Sequence, residues 1–109
     1  NSREVELEGE AFFEITENKK KPFIIHSKNM DIKVLGTVFN VRAYPSETLS
    51  EASLISGAIE VLLKNRPNER ILLKPNEKIR VKITEEHLAF NKEIFQKSKS
   101  LVLLFIRKI

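Results

Sequence analysis

Apolar and polar residues alternate with a period of two along most of this chain. Val5 and Leu7 point one way, and Glu4, Glu6 and Glu8 the other. This is the signature of a half-buried strand ending near Gly9. Ala11, Phe13 and Ile15 continue as a second strand. Thr16 to Lys21 is a polar turn closed by Pro22, and Phe23 to His26 is a short apolar strand. After a turn at Lys28-Asn29, Met30, Ile32 and Val34 alternate with Asp31, Lys33 and Leu35. Gly36-Thr37 interrupts the pattern, and Phe39 and Val41 resume it against Asn40 and Arg42. A glycine between two strand-like runs predicts a bulge, a sharp corner or a close backbone approach.

The second half repeats this punctuation. Tyr44 to Glu47 is a loop, Ala52 to Ile55 a strand, and Ser56-Gly57 a second break. Ile59, Val61 and Leu63 share a face, followed by a turn at Asn65-Arg66-Pro67-Asn68. Ile71 to Leu73, a turn at Lys74-Pro75-Asn76-Glu77, and Ile79, Val81 and Ile83 complete the series. About eight short strands at spacings of roughly 8–12 residues predict an all-β sandwich, a jelly-roll-like barrel or a twisted solenoid. Residues 1–90 carry no helical periodicity, so a parallel α/β sheet is excluded.

The tail, residues 91–109, reads differently from the β domain of residues 1–90. Ile94, Ser98, Leu101, Val102, Phe105, Ile106 and Ile109 fall at helical spacing, with Asn91 as a candidate cap. A helix is expected here, with a strand through Leu101–Ile106 as the competitor, since short apolar runs are ambiguous by period. Leu101, Val102, Phe105 and Ile106 need cover, either from the sheet or from a second copy. The tail could equally be a linker cut short before a further domain.

With 109 residues, 41% hydrophobic and 31% charged, the composition suits one globular domain. The net charge of +4 is dispersed among carboxylates. Its densest cluster, Lys19-Lys20-Lys21, precedes a proline and reads as a solvated turn. Nucleic-acid binding is not expected without a basic face bearing aromatics or a recognition helix. Cysteine is absent, which removes disulfides and thiolate chemistry. The longest apolar run, Leu101–Ile106, is far below the roughly 20 residues of a spanning helix. A start at Asn-Ser-Arg suggests an excised domain whose membrane segment lies elsewhere.

No grouping of residues suits catalysis. His26 sits in an apolar strand and reads as a packed or surface residue. His87 follows Glu85-Glu86, but adjacent side chains on a strand face opposite sides and no further ligand is spaced for a metal. Glu4, Glu6 and Glu8 form a solvent-facing row. Leu54-Ile55-Ser56-Gly57 lacks the glycine before the serine that a nucleophile elbow needs. The three glycines are too far apart to cradle a phosphate. Neither an enzyme nor a cofactor is expected.

Five segments together resemble the FecR family. They are Leu7-Glu8-Gly9-Glu10-Ala11-Phe12-Phe13, Lys21-Pro22-Phe23-Ile24-Ile25, Val34-Leu35-Gly36-Thr37-Val38-Phe39-Asn40-Val41, Ile55-Ser56-Gly57-Ala58-Ile59-Glu60-Val61 and Leu73-Lys74-Pro75-Asn76-Glu77. They span residues 3–83 in the family's order and spacing, and the third is the most specific. After Ile83 the resemblance fades. Its residues, among them Gly9, Glu10, Phe13, Pro22, Phe23, Val34, Leu35, Gly36, Thr37, Phe39, Val41, Gly57 and Pro75, are expected mainly to specify the fold.

The resemblance implies the periplasmic domain of an inner-membrane anti-sigma factor in a Gram-negative bacterium. Its implied partners are the signalling domain of a TonB-dependent outer-membrane transporter and, through a cytoplasmic segment outside this chain, an extracytoplasmic-function sigma factor. Strand addition along a sheet edge is a plausible contact mode, though the sequence does not choose the edge. A small-ligand module, such as a carbohydrate-binding β domain, is the main alternative. The lack of tryptophan and a single tyrosine, Tyr44, weigh against it. A dimerisation domain acting through the tail is the third reading.

Overall fold

The period-two segments become strands in two layers. The structure, a computed structural model, describes residues 2–64, 66, 68–84, 87–94 and 106–108. Among these residues the strands are β1 (Arg3–Glu6), β2 (Gly9–Ile15), β3 (Phe23–His26), β4 (Met30–Val34), β5 (Thr37–Ala43) and β6 (Leu49–Ser56). They continue with β7 (Ile59–Leu63), β8 (Arg70–Leu73), β9 (Glu77–Thr84), β10 (His87–Ile94) and β11 (Ile106–Lys108). One sheet has the order β1-β3-β4-β7-β8, the other β10-β9-β6-β5-β2-β11. The expected all-β class therefore holds, as a sandwich.

The chain visits the sheets in turn. β3–β4 and β7–β8 are hairpins of the five-stranded sheet, and β5–β6 and β9–β10 are hairpins of the six-stranded one. The first three hairpins each end in a crossing to the opposite sheet, so strand numbers rise steadily along both layers. This one-way progression accounts for the solenoid-like spacing of the sequence. β11 breaks it by returning to pair in parallel with β2.

Alternation decides which side chains enter the core. β5 buries Thr37, Phe39, Val41 and Ala43, and turns Val38, Asn40 and Arg42 outward. β4 buries Met30, Ile32 and Val34. Phe13 and Phe39, opposite each other on β2 and β5, stack at 5.1 Å between ring centroids. Phe23 closes over Phe13 from the other sheet at 6.3 Å in a tilted contact. This trio binds the two layers, with apolar burial of about 25 cal/mol per Å² as the driving term.

A polar pin joins the layers where aromatic packing ends. Asn29, buried in the β3–β4 turn, donates from Nδ2 to Ser50 Oγ on β6 at 3.1 Å. Its carbonyl accepts Lys64 N at 3.1 Å. Both side chains point inward and are satisfied, as burial requires.

The helix expected from Asn91 onward is corrected by two strands. Asn91–Ile94 belong to β10, where Asn91 stands opposite Arg80, and Ile106–Lys108 form β11, where Ile106 stands opposite Phe12. The reason is backbone demand: β9 and β2 each offer an unpaired edge, which a helix could not satisfy. β10 also carries the β layer past residue 90 to Ile94. Leu101, Val102 and Phe105 lie outside the described residues.

Candidate functional site

Three of the family-like segments converge on one corner of the sandwich. β4 leaves the five-stranded sheet at Leu35-Gly36, and β7 enters it at Gly57-Ala58 after leaving the other. The two crossings touch. A Cβ on Gly57, whose φ is +93°, would fall 2.5 Å from the Gly36 carbonyl oxygen. A Cβ on Gly36 would fall 2.7 Å from Glu17 Cβ. Thr37 completes the joint by donating from Oγ1 to the Ala58 carbonyl at 3.0 Å. Only glycine permits this approach of backbone to backbone.

Against this joint lies an open groove of about 640 Å³. Pro22, Val34, Leu35, Gly36, Thr37, Gly57, Ala58, Ile59 and Leu72 line it. Glu17, Lys19, Lys33 and Glu60 form a rim of mixed charge. Leu35 is 41% exposed and Leu72 62%, both large apolar side chains facing water. The groove suits a protruding apolar side chain of a partner. Among the described residues no group of three or more His, Cys, Asp or Glu side chains is arranged to hold a metal ion.

A second feature lies on the outer face of the five-stranded sheet. His26 on β3 is held between Glu4 on β1, at 2.7 Å from Nε2, and Asp31 on β4, at 3.0 Å from Nδ1. Lys64 Nζ reaches the same Asp31 oxygen at 2.9 Å. The Glu4 hydrogen bond, supported by Asp31, raises the His26 pKa above the ordinary 6.5. The same bond, with one from Ser2, holds the Glu4 carboxyl below its ordinary 4.5. Glu4 is thus no mere member of a solvent row. It fastens an edge strand that is otherwise tied by parallel pairing and by the bonds Arg3 N to Pro22 O and Leu7 N to His26 O, each 2.9 Å.

The remaining motif residues scatter through the scaffold. Phe13, Phe23, Val34, Phe39 and Val41 are core. Gly9 opens β2 with φ +121°. Glu10 faces outward, accepting from Asn40 Nδ2 at 3.2 Å and pairing with Arg42 at 3.5 Å. Pro75 stands in the β8–β9 crossing, followed by Asn76 with φ +72°. Pro22, Leu35, Gly36, Thr37 and Gly57 meet at the groove. Sequence reasoning missed Leu72 and Ala58 as groove residues, because each is apolar within a strand or turn and nothing local marks it as exposed. The Asn29–Ser50 pin carried no sequence signal.

The comparisons with known proteins agree with this architecture. The family model described as FecR protein matches residues 1–60. Two crystal structures of a candidate anti-sigma factor from Parabacteroides distasonis ATCC 8503, at 1.65 and 2.50 Å, are similar to the chain. Each is 39% identical, with a TM-score of 0.80, over 90% of this chain and 44% of the other. The chain thus spans less than half the length of these relatives. The comparison with curated proteins finds no match. The matched region holds the paired glycine crossings, the aromatic trio and most of the groove: this chain belongs to the FecR family.

Proposed function

We propose that this chain is the extracytoplasmic signalling module of a membrane-anchored anti-sigma regulator. It acts by binding and has no catalytic role. In this reading it lies in the periplasm of a Gram-negative cell, meets the signalling domain of a TonB-dependent outer-membrane transporter, and passes transporter status to a sigma factor held in the cytoplasm. The carrying observation is the FecR match over residues 1–60 together with the 39% identity to a candidate anti-sigma factor. The groove beside Gly36 and Gly57 supports it by offering exposed apolar side chains on a rigid scaffold. Relay of a signal requires that the partner favour one of two states by differential affinity.

Titration calorimetry against the signalling domain of the transporter encoded beside this protein tests the reading. Binding in the micromolar range is expected, weakened about tenfold or more by Leu35→Glu or Leu72→Glu. Absence of binding at about 100 μM would remove this domain as the contact module.

A further inference from the structure

β1 is the most loosely attached strand of its sheet. It stands at the edge, and among the described residues it pairs with β3 alone. Val5 and Leu7 are only partly buried against the core. Arg3 fixes one end: its Nε donates to the Lys21 carbonyl at 3.1 Å, and its guanidinium lies 5.6 Å from the Phe23 ring centroid. At the other end the short link Leu7-Glu8 leads to Gly9, whose φ is +121°. Between the ends, Glu4 is held by His26. β3, β4, β7 and β8 pair with one another without help from β1, and they carry Phe23, Ile25, Met30 and Ile32 of the core. β1 can therefore part from its sheet as a local unit while the core strands stay paired.

A neutral imidazole carries one N–H and an imidazolium two. His26 meets a carboxylate at each nitrogen, Glu4 at Nε2 and Asp31 at Nδ1, so only the imidazolium donates to both. In the neutral ring one nitrogen turns a lone pair toward a carboxylate oxygen 2.7 or 3.0 Å away, and one contact must yield. Asp31 is fixed on β4, between β3 and β7, and keeps Lys64. Glu4 lies on the edge strand, is half exposed, and already accepts from Ser2 Oγ at 2.8 Å. Glu4 is the contact that yields. The neighbouring charges push the same way. Glu6 stands level with His26 on β1, and Glu6 and Glu8 line a small pocket with it. Lys28 and Lys64 line the same pocket, but Lys28 Nζ bonds the Pro45 carbonyl at 2.9 Å and Lys64 Nζ bonds Asp31. Lys33, on the same face of β4, stands opposite Ile24 and not His26. Loss of the ring proton leaves Glu4 and Glu6 across β3 from Asp31 with an uncharged ring between them.

We propose that the doubly protonated ring of His26 is a latch for β1. While the ring is charged, β1 is closed on β3. When it loses its proton, Glu4 is released, β1 swings out about Gly9, and the edge of β3 is bared while the rest of the sandwich stays folded. The bared edge, Phe23–His26, then presents unpaired backbone groups to the surroundings. The raised pKa of His26 agrees, since the Glu4 hydrogen bond is its first cause. Asp31 stays beside the ring when β1 leaves, so only the share due to Glu4 works the latch. The latch is fully engaged below the ordinary 6.5 and is lost as pH rises through the raised value. It involves neither the groove nor a partner, and so stands apart from the signalling reading.

Amide hydrogen exchange of the 109-residue protein, followed by NMR and divided by the unstructured rate at each pH, tests this. The reporters are the amides of Arg3 and Leu7, which bond the Pro22 and His26 carbonyls. From about pH 6 to about pH 9 their protection should fall at least about threefold, as expected for the loss of one partly exposed ion pair. The amides of Phe39 and Val41 on β5 should not follow. The fall should track the titration of the His26 ring, read from its Cε1 proton. His26→Gln, whose amide has a single donor atom and does not titrate, should leave β1 less protected and independent of pH. Glu4→Gln should flatten the β1 profile while His26 still titrates. Protection of β1 that is constant over this range, a fall that persists in His26→Gln, or a fall matched by Phe39 and Val41 would overturn the proposal.

Discussion

The Gly36 carbonyl oxygen occupies the space where a side chain on Gly57 would begin, 2.5 Å from the Cβ position. Two crossings 21 residues apart in the chain are thereby locked at one point (57 − 36). The three glycines separate the two reasons for a glycine. Gly9 has a positive φ but only an ordinary contact at its Cβ position, with Tyr44 at 3.6 Å, Gly36 has a crowded Cβ position, and Gly57 has both. Gly57→Ala should therefore be the most damaging, costing upwards of about 2 kcal/mol. Gly9→Ala should cost about 1 kcal/mol, from the backbone alone. Gly36→Ala should fall between them, since its Cβ would crowd the Glu17 backbone, with Cα at 2.8 Å, but its φ adds no strain. Urea unfolding midpoints give the ranking, and a Gly57→Ala variant no weaker than Gly9→Ala would show that the contact is not a constraint.

The stacked rings of Phe13 and Phe39 mark where the layers are bound most tightly. Phe39 is fully buried. Phe39→Ala should cost about 3–5 kcal/mol, and Phe39→Leu much less, because a leucine refills most of the volume. In a domain of this size the alanine variant should lower the melting temperature by more than about 10 °C. A smaller loss, measured by calorimetry, would mean that the core repacks around the gap.

His26 gives the domain a pH-dependent fastening for β1. Its raised pKa means that its contribution is fully present below the ordinary 6.5 and is lost as pH rises through the folded value. The lowered Glu4 pKa means the reverse: that contribution is present above the ordinary 4.5 and fades as pH falls through the folded value. The pair is therefore strongest between about pH 5 and 6.5. His26→Gln should destabilise the protein most in that window and least once the pH has risen through the raised folded value. Melting temperatures of both proteins across pH provide the check, and a difference that grows toward high pH would contradict the pairing.

The crossing from β8 to β9 places an asparagine, Asn76, at a positive φ. Pro75 precedes Asn76, whose φ is +72°, and Glu77 N bonds Lys74 O at 3.0 Å. These are the marks of a type II turn, which needs a residue tolerant of positive φ in third place. Glu77 adds a clasp: its carboxylate accepts Lys74 N at 2.7 Å, and that bond holds its pKa below the ordinary range. Asn76→Gly should change stability by less than about 0.5 kcal/mol, and Asn76→Val should cost about 1–2 kcal/mol. Equal effects in chemical denaturation would exclude a left-handed requirement.

Much of the strand layout was legible because a strand's side chains alternate regardless of its neighbours. Met30, Ile32, Val34, Phe39 and Val41 announce their faces locally. Asn91–Ile94 misled for the opposite reason: Ile94 also falls at helical spacing with residues after it and Asn91 reads as a cap, and the free edge of β9 decided their state. The groove was half legible. Pro22, Gly36 and Gly57 stood out as punctuation, while Leu72 became part of the site only when β8 was laid at the edge of its sheet.

The sequence by itself determined the all-β class, the inward and outward faces, the positions of the corners and the family. These rest on alternation, backbone freedom and local motifs, which act within a few residues. Tertiary structure decided that crossings at Gly36 and Gly57 meet, that His26 lies between carboxylates from two other strands, and that β10 extends past β8. Each of these depends on which strands lie side by side, a choice made by packing across the whole core and by the need of every edge for a partner.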